Sequence, residues 1–342
     1  MKHWLNRLLG RGPKSASPAT ISAAPSAAAQ PASNDLPDPL AASTLHAAVD
    51  VDHLFYPWLL EFDASVTEPS EAEQRLMRTL ERMSAADAPA VNTLVPRMPA
   101  VIPMLLQSLR DKNVTNAHLS EQIAQDPVLL AALLRQVNSS LYLRTEPVSS
   151  IEQALALLGQ NNLRLLVASV AFKPLFNVQS GHFTGTAGAR LSMLSSTSAA
   201  ACRSLAARRQ LEPFESFLAS LLHNVGLIVA LRIMDQVHEG ATSLRSLAFC
   251  TALATHARRV ALRVGREWQF PEAVLEALSL QGAAPVAASP VASLLRLADR
   301  LSKLHVLVAN DRLAAEEAED FALIEGGEDG LVCYRSLAAA GE

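Results

Sequence analysis

Apolar and polar positions follow a helical period most clearly over residues 115–176. Leu129, Leu130, Leu133, Leu134 and Val137 fall at i, i+1, i+4, i+5 and i+8, one wide apolar stripe. Asp126-Pro127 predicts where that helix starts. The Asp carboxylate can accept from free N–H groups of the first turn, and proline at the first helical position has no needed donor to lose. Asn138-Ser139-Ser140 predicts its end, because these side chains compete for backbone hydrogen bonds. Ser149 and Glu152 then stand at capping-box spacing ahead of Ile151, Ala154, Leu155 and Leu158. Gly159 falls where a left-handed residue closes a helix, and Asn161 or Asn162 can cap the next one, from Leu163 towards Phe172.

The same reading extends along the chain. Pro96, Pro99 and Pro103 punctuate the entry to this region. Residues 177–190, NVQSGHFTGTAGAR, predict a glycine-rich loop between two halves. Helices are expected over 191–207, over 214–234 with a break near Gly226, and over 244–268. Gln269-Phe270-Pro271 turns the chain into a helix reaching Leu280, a short linker follows from Ala283, and 290–308 closes the domain. Upstream, Leu54, Phe55, Trp58, Leu59 and Leu60 form an apolar cluster, and 70–83 reads as an amphipathic helix with Leu76, Met77 and Leu80 inward. Residues 45–93 are therefore expected to be a helical extension docked on the main domain, with a separate partner-binding module as the alternative.

The ends differ in character. Residues 12–44 are Ala, Pro and Ser with almost no large apolar side chain, and are expected to form a disordered linker because they cannot offset their ordering entropy by burial. Residues 1–11, MKHWLNRLLGR, place Trp4, Leu5, Leu8 and Leu9 on one helical face with Lys2, Arg7 and Arg11 around it. Such an amphipathic basic helix suits a membrane surface or a partner. A frayed terminus is the other reading, since so short a helix is marginal alone in water. Residues 309–342 are expected to be an acidic, solvated tail.

Composition narrows the class. With 342 residues, 50% hydrophobic content, 14 glycines and 5% aromatics, the chain favours an all-α fold with one large core or two modest ones. A net charge of −4 supplies no global attraction to nucleic acid, and no nucleic-acid partner is expected. Cys202, Cys250 and Cys333 are odd in number and far apart, which fits a reducing cytoplasm rather than a disulfide framework. No run of roughly 18 apolar residues and no signal-peptide core are expected, so the protein is placed in the cytoplasm, with peripheral contact at the inner membrane if residues 1–11 bind there.

The order of the local signals resembles the HDOD family, helical output domains related to HD-type metal-dependent phosphohydrolases. Asp126, Pro127, Leu129, Leu133, Leu134, Asn138, Ser139, Tyr142, Ile151, Ala154, Leu158 and Gly159 match the family phrases at their proper spacing, and Trp268 and Pro271 match a later one. The resemblance implies a multi-helix bundle in two helical halves over residues 94–308. It also implies a signalling role through protein–protein interaction, beside two-component or cyclic-di-GMP systems.

The resemblance points to residues 220–227, SLLHNVGL, as the place to look for chemistry. In a catalytic relative, a His on one helix, a His-Asp pair on another and a later Asp converge on a divalent metal. Here His223 is followed by Asn224, whose amide oxygen is a neutral and weaker ligand than a carboxylate. No histidine stands in residues 191–200, where the first ligand would fall, and LSLQGA occupies the place of paired histidines downstream. Asp299 is the one other match. His223 and Asp299 make half a site, so no catalytic residue, metal or cofactor is assigned and the chain is expected not to be an enzyme. An active phosphohydrolase with an atypical site is the alternative, and an adaptor tethered to a membrane by residues 1–11 is a third reading.

The remaining candidates read more plainly. His223 is expected to be a core histidine, Asp299 to pair with Arg296, Arg300 or His223, and His256 to be an exposed helical histidine. His182, His238 and His305 have no ligand-spaced companions. No GxSxG, P-loop, HExxH or GxGxxG occurs. Arg203, Arg208 and Arg209, joined by Arg258, Arg259, Arg263 and Arg266, suit contacts with an acidic partner, although spaced arginines on helices are commonly just solvated.

Overall fold

The computed structural model describes residues 50–85, 97–110, 120–121, 123–138, 147–176, 181–238, 243–282 and 289–339. The expectations for residues 1–11 and 12–44, and for Ser139 and Tyr142, lie outside them. The described chain is all-α. Its helices are α1 (Val51–Leu60), α2 (Glu71–Ser84), α3 (Val101–Arg110), α4 (Pro127–Val137), α5 (Ile151–Phe176), α6 (His182–Arg208), α7 (Pro213–Val237), α8 (Leu247–Glu267), α9 (Glu272–Ser279), α10 (Pro290–Val308) and α11 (Ala315–Ala338). Among the described residues the one β-type pairing is a bridge between Val66 and Ser246.

Helix α7 is the hub. It packs against α2, α5, α6, α8, α9 and α10 and is buried nearly all round. This differs from the expectation that no apolar run could span a bilayer. By length and composition both α5 and α7 could, but 89% of the most apolar window of α7 is buried inside the bundle. Nor is α7 broken at Gly226. A Cβ there would lie 2.4 Å from the Ala257 carbonyl oxygen and 2.5 Å from the Ala261 Cβ, so the glycine lets α7 and α8 touch backbone to backbone.

In the first half, local signals translate directly into structure. Asp126 Oδ1 accepts from the amides of Val128 and Leu129, capping α4 with Pro127 at its first position. Asn138 ends that helix and reaches across the following segment: its Nδ2 donates to the Val148 carbonyl and its Oδ1 accepts from the Val148 amide, both at 2.7 Å. Gly159 adopts φ 75°, the left-handed region, and divides α5 into two helical pieces. The cap ahead of α5 lies one residue later than expected. Ser150 Oγ accepts from the Gln153 amide, while Gln153 Oε1 accepts from the Ser149 amide.

Two expectations fail for want of long-range information. The loop predicted over 177–190 is helical from His182. Its start is stabilised from α7, where the Asp235 carboxylate accepts from the amides of Phe183 and Thr184 and from Thr184 Oγ1. The acidic tail likewise contains a helix. α11 buries Ala318, Ala322, Cys333, Tyr334 and Leu337, packs against α6 and α10, and bends at Gly327, where φ is 59°. Two of its acids, Glu325 and Asp329, pair with arginines of α10 and of the α6 end, which charge counting along the chain cannot register.

Helices α1 and α2 pack on the domain through polar ties. Glu73 joins a capping box with Ser70, and its Oε1 accepts from the amides of Arg245 and Ser246 at 2.8 Å, pinning α2 to the start of α8. Arg263 donates to the carbonyls of Met83 and Ala85 at the other end.

The close contact at Gly226 predicts that Gly226→Ala forces the two backbones apart and lowers stability by about 1–3 kcal/mol. Urea unfolding should show a clearly lower midpoint. An unchanged midpoint would mean that α7 and α8 do not approach this closely.

Candidate functional site

The polar centre of the molecule is built from α10, α7 and α1. Ser289 caps α10 by accepting from the Ala292 amide, and the buried face of that helix carries Asp299 and Lys303, one turn apart. The Lys303 ammonium donates to Asp299 Oδ2 at 2.7 Å and to Asp52 Oδ1, on α1, at 2.6 Å. It also lies 5.2 Å from the Phe55 ring centroid and 5.6 Å from that of Tyr56. Arg258 of α8 donates to the other Asp52 oxygen at 3.0 Å. Lys303 is 2% exposed and Asp299 6%, so one carboxylate and the ammonium are held almost out of water, and Asp52 is half-buried beside them.

The charges depend on one another. Burial opposes the charged form of Asp299, but the Lys303 ammonium and His223 outweigh it and hold the carboxyl well below its ordinary range. Asp52 is also lowered, with burial overcome by Lys303 and Arg258. For Lys303, burial favours the neutral amine, and Asp299 and Asp52 reverse that and raise it above an ordinary lysine.

Beside this cluster, His223 Nε2 stands 3.6 Å from Asp299 Oδ1, longer than a hydrogen bond. His223 Nδ1 and Asp299 Oδ1 have no hydrogen-bond partner among the described residues. Asn224 is buried and turns its Nδ2 to the Ser220 carbonyl of its own helix at 3.1 Å. A cavity of about 280 Å³ opens next to Asp299, with Asp50, Asp52, Arg258, Arg296 and Arg300 among its lining residues. Arg296 donates to the Leu280 carbonyl and Arg300 pairs with Glu325, so Asp299 uses neither of the two arginines the sequence offered.

The related enzymes imply a divalent metal here, and the residues present do not fit one. His223 Nε2 and Asp299 Oδ1 are close enough to be two ligands of one ion. A third is missing, because no group of three His, Cys, Asp or Glu side chains converges among the described residues. On α6, where the first ligand His was sought, the buried side chains include Leu194, Ser195 and Ser198. The second oxygen of Asp299 is bound to Lys303, whose fixed positive charge repels a cation at that spot.

Other expected site residues take structural parts. Arg208 pairs with Asp329 at 2.7 Å and Arg209 approaches the same carboxylate at 3.9 Å, so these two meet an acidic partner within the chain, on α11. Arg203 lies half-buried on α6. Arg258 and Arg263 are used in docking α1 and α2. Trp268 is buried edge-to-face against Phe172, and Pro271 precedes α9 as its N-cap. His256 is buried, not exposed, and its Nδ1 shares a 2.8 Å hydrogen bond with Ser84 Oγ; burial lowers its affinity for a proton. His182 and His238, without companions in sequence, stack with centroids 4.2 Å apart. Sequence reasoning missed Lys303 and Asp52. The spacing of Asp299 and Lys303 at i and i+4 was the available signal for one; nothing local pointed to the other.

A family model described as the HDOD domain matches residues 95–283. Among solved structures, an HDOD domain protein of unknown function from Geobacter sulfurreducens is 21% identical and superposes with a TM-score of 0.55, over 79% of this chain and 95% of its own. A candidate metal-dependent phosphohydrolase from Shewanella amazonensis gives 19% identity and a TM-score of 0.53, over 80% of this chain and all of its own. A candidate signal transduction protein from Marinobacter aquaeolei gives 18% and 0.51, over 79% and 65%. At these identities the likeness is one of fold. No curated protein matches the sequence.

The ion cluster has a defined pH window. The lowered carboxyls contribute stability that is fully present above about pH 4 and is lost as the pH falls from there towards their depressed values. The raised Lys303 contributes stability that is fully present below about pH 10.4 and is lost as the pH rises through its raised value. Lys303→Met leaves Asp299 buried beside a neutral chain and should cost about 3–5 kcal/mol at pH 7. Burial then raises the Asp299 carboxyl, so the loss should be smaller at pH 5 than at pH 7. Urea midpoints of both proteins at the two pH values test this, and equal midpoints at pH 7 would show that the ammonium does not hold the cluster together.

Proposed function

This chain belongs to the HDOD domain family, and on that premise we propose that it is a non-catalytic signalling module that works by binding other proteins. The observation that carries the reading is the position of the Lys303 ammonium, within 2.7 Å of both Asp299 and Asp52. An internal cation neutralises the carboxylate that a hydrolytic metal would use, and a metal-activated water needs an ion with an open coordination position. The signalling side is supported by the family and by the name of the Marinobacter aquaeolei structure. The partners we infer are signalling proteins, of the two-component or cyclic-di-GMP kind that the family resemblance implies. Their docking region is the rim of the cavity where Asp50, Arg258, Arg296 and Arg300 meet, since Arg208 and Arg209 already hold Asp329. Three buried free cysteines suit a reducing cytoplasm.

One observation favours a second reading, an active phosphohydrolase: His223 Nε2 and Asp299 Oδ1 keep a separation that two ligands of one ion could share. The experiment that separates the two is the metal content of protein purified without chelator and then offered Mn²⁺, Mg²⁺ or Fe²⁺, with turnover of a phosphodiester such as bis(p-nitrophenyl) phosphate measured in parallel. We expect no stoichiometric metal and no turnover above that of an Asp299→Asn control. One or two tightly held ions per chain with measurable hydrolysis would overturn the binding-module reading.

A further inference from the structure

Helix α11 exposes a strip that the rest of the described chain leaves uncovered. Before the bend at Gly327, Glu316, Glu317, Asp320, Leu323 and Ile324 fall at i, i+1, i+4, i+7 and i+8, on one side of the helix. All five are exposed; Leu323 keeps 48% and Ile324 61% of its surface in solvent. The ion pairs that fasten α11 to itself and its neighbours use Glu319, Glu325 and Asp329, so the three acids of the strip take no part in them. The strip is thus apolar at one end and negative at the other.

Residues 1–11 carry the complementary pattern: Trp4, Leu5, Leu8 and Leu9 on one helical face, with Lys2, Arg7 and Arg11 beside it. The path of the chain brings the two within reach. Asp50, the first described residue, lines the same cavity as Arg300, and Arg300 holds Glu325, the residue after Ile324. The chain therefore leaves the body at the cavity whose Arg300 is tied to α11. Residues 12–49 lie between, and a polypeptide of that length has a reach on the order of 35 Å. Tethering of this kind gives an effective concentration on the order of mM, enough for a short helix that is marginal alone to find its complement.

We propose that residues 1–11 dock on the outer face of α11 of their own chain, with Trp4 and the leucines over Leu323 and Ile324 and the basic side chains towards Glu316, Glu317 and Asp320. Docking covers the apolar residues and neutralises the acids together. The inference stands independently of whether the cavity beside Asp299 is catalytic.

The chain's tryptophans make the test direct. Of the three, Trp58 and Trp268 are buried, so iodide quenching of the full-length protein reports chiefly on Trp4. We expect emission to be protected in dilute wild-type protein, and about one third of it to become quenchable in both Leu8→Asp and Ile324→Lys. Leu8→Asp lies outside the described body and keeps the test valid if Ile324→Lys folds poorly; hydrogen exchange of residues 315–326 should then be faster in Leu8→Asp than in wild type. Four results would overturn the proposal. Trp4 already quenchable in wild type, with exchange of that segment unaltered by Leu8→Asp, means no docking. Protection lost on dilution means that a second copy is the occupant. Protection released by Leu8→Asp but not by a folded Ile324→Lys places the segment elsewhere. Protection that appears only on anionic phospholipid vesicles assigns residues 1–11 to a lipid surface.

Discussion

One ammonium group, that of Lys303, holds together parts of the chain that are far apart in sequence. It sits between Asp299, one turn away on the same helix, and Asp52, on the first described helix, in a place where neither carboxylate can be solvated freely. Each carboxylate alone would be costly to bury, and the lysine would be costly without them. The arrangement makes the docking of α1 a condition for the charge balance of α10. At its other end α1 is fastened by Arg190, which donates to the Trp58 and Leu59 carbonyls and stacks over the Trp58 ring. A helix of ten residues is thereby fixed at both ends by charges from other helices.

This cluster also sets the surroundings of His223. His223 and Asp299 lie close, as their places in the family phrases would have them. Asn224 spends its amide on its own helix, residues 191–200 of α6 carry no histidine, and the cation beside Asp299 is covalently part of the chain. Next to them lies a small polar cavity edged by Asp50, Asp52, Arg258, Arg296 and Arg300. Three of the family phrases have structural explanations of the same kind: Asp126 caps, Asn138 bridges to Val148, and Gly159 takes the left-handed turn.

Much of this was legible in the sequence, and the boundary between what was and was not is physical. The apolar period, the Asp126-Pro127 start and the left-handed Gly159 are set by residues within a turn or two of one another. Local energetics fixes them, so reading along the chain recovers them. The helical character of residues 182–190 and of α11, the continuity of α7 through Gly226 and the burial of His256 were not recoverable in that way. Each depends on a group supplied from elsewhere: Asp235 for the start of α6, Arg208 and Arg300 for the acids of α11, Ala257 against Gly226, and Ser84 for His256. By itself, then, the sequence determined the all-α class, most of the helices and the caps at Asp126 and Gly159. Only the tertiary structure decided that Lys303 and Asp52 would complete the charge balance beside Asp299, because their contact, across some 250 residues of chain, forms only when α1 and α10 lie side by side.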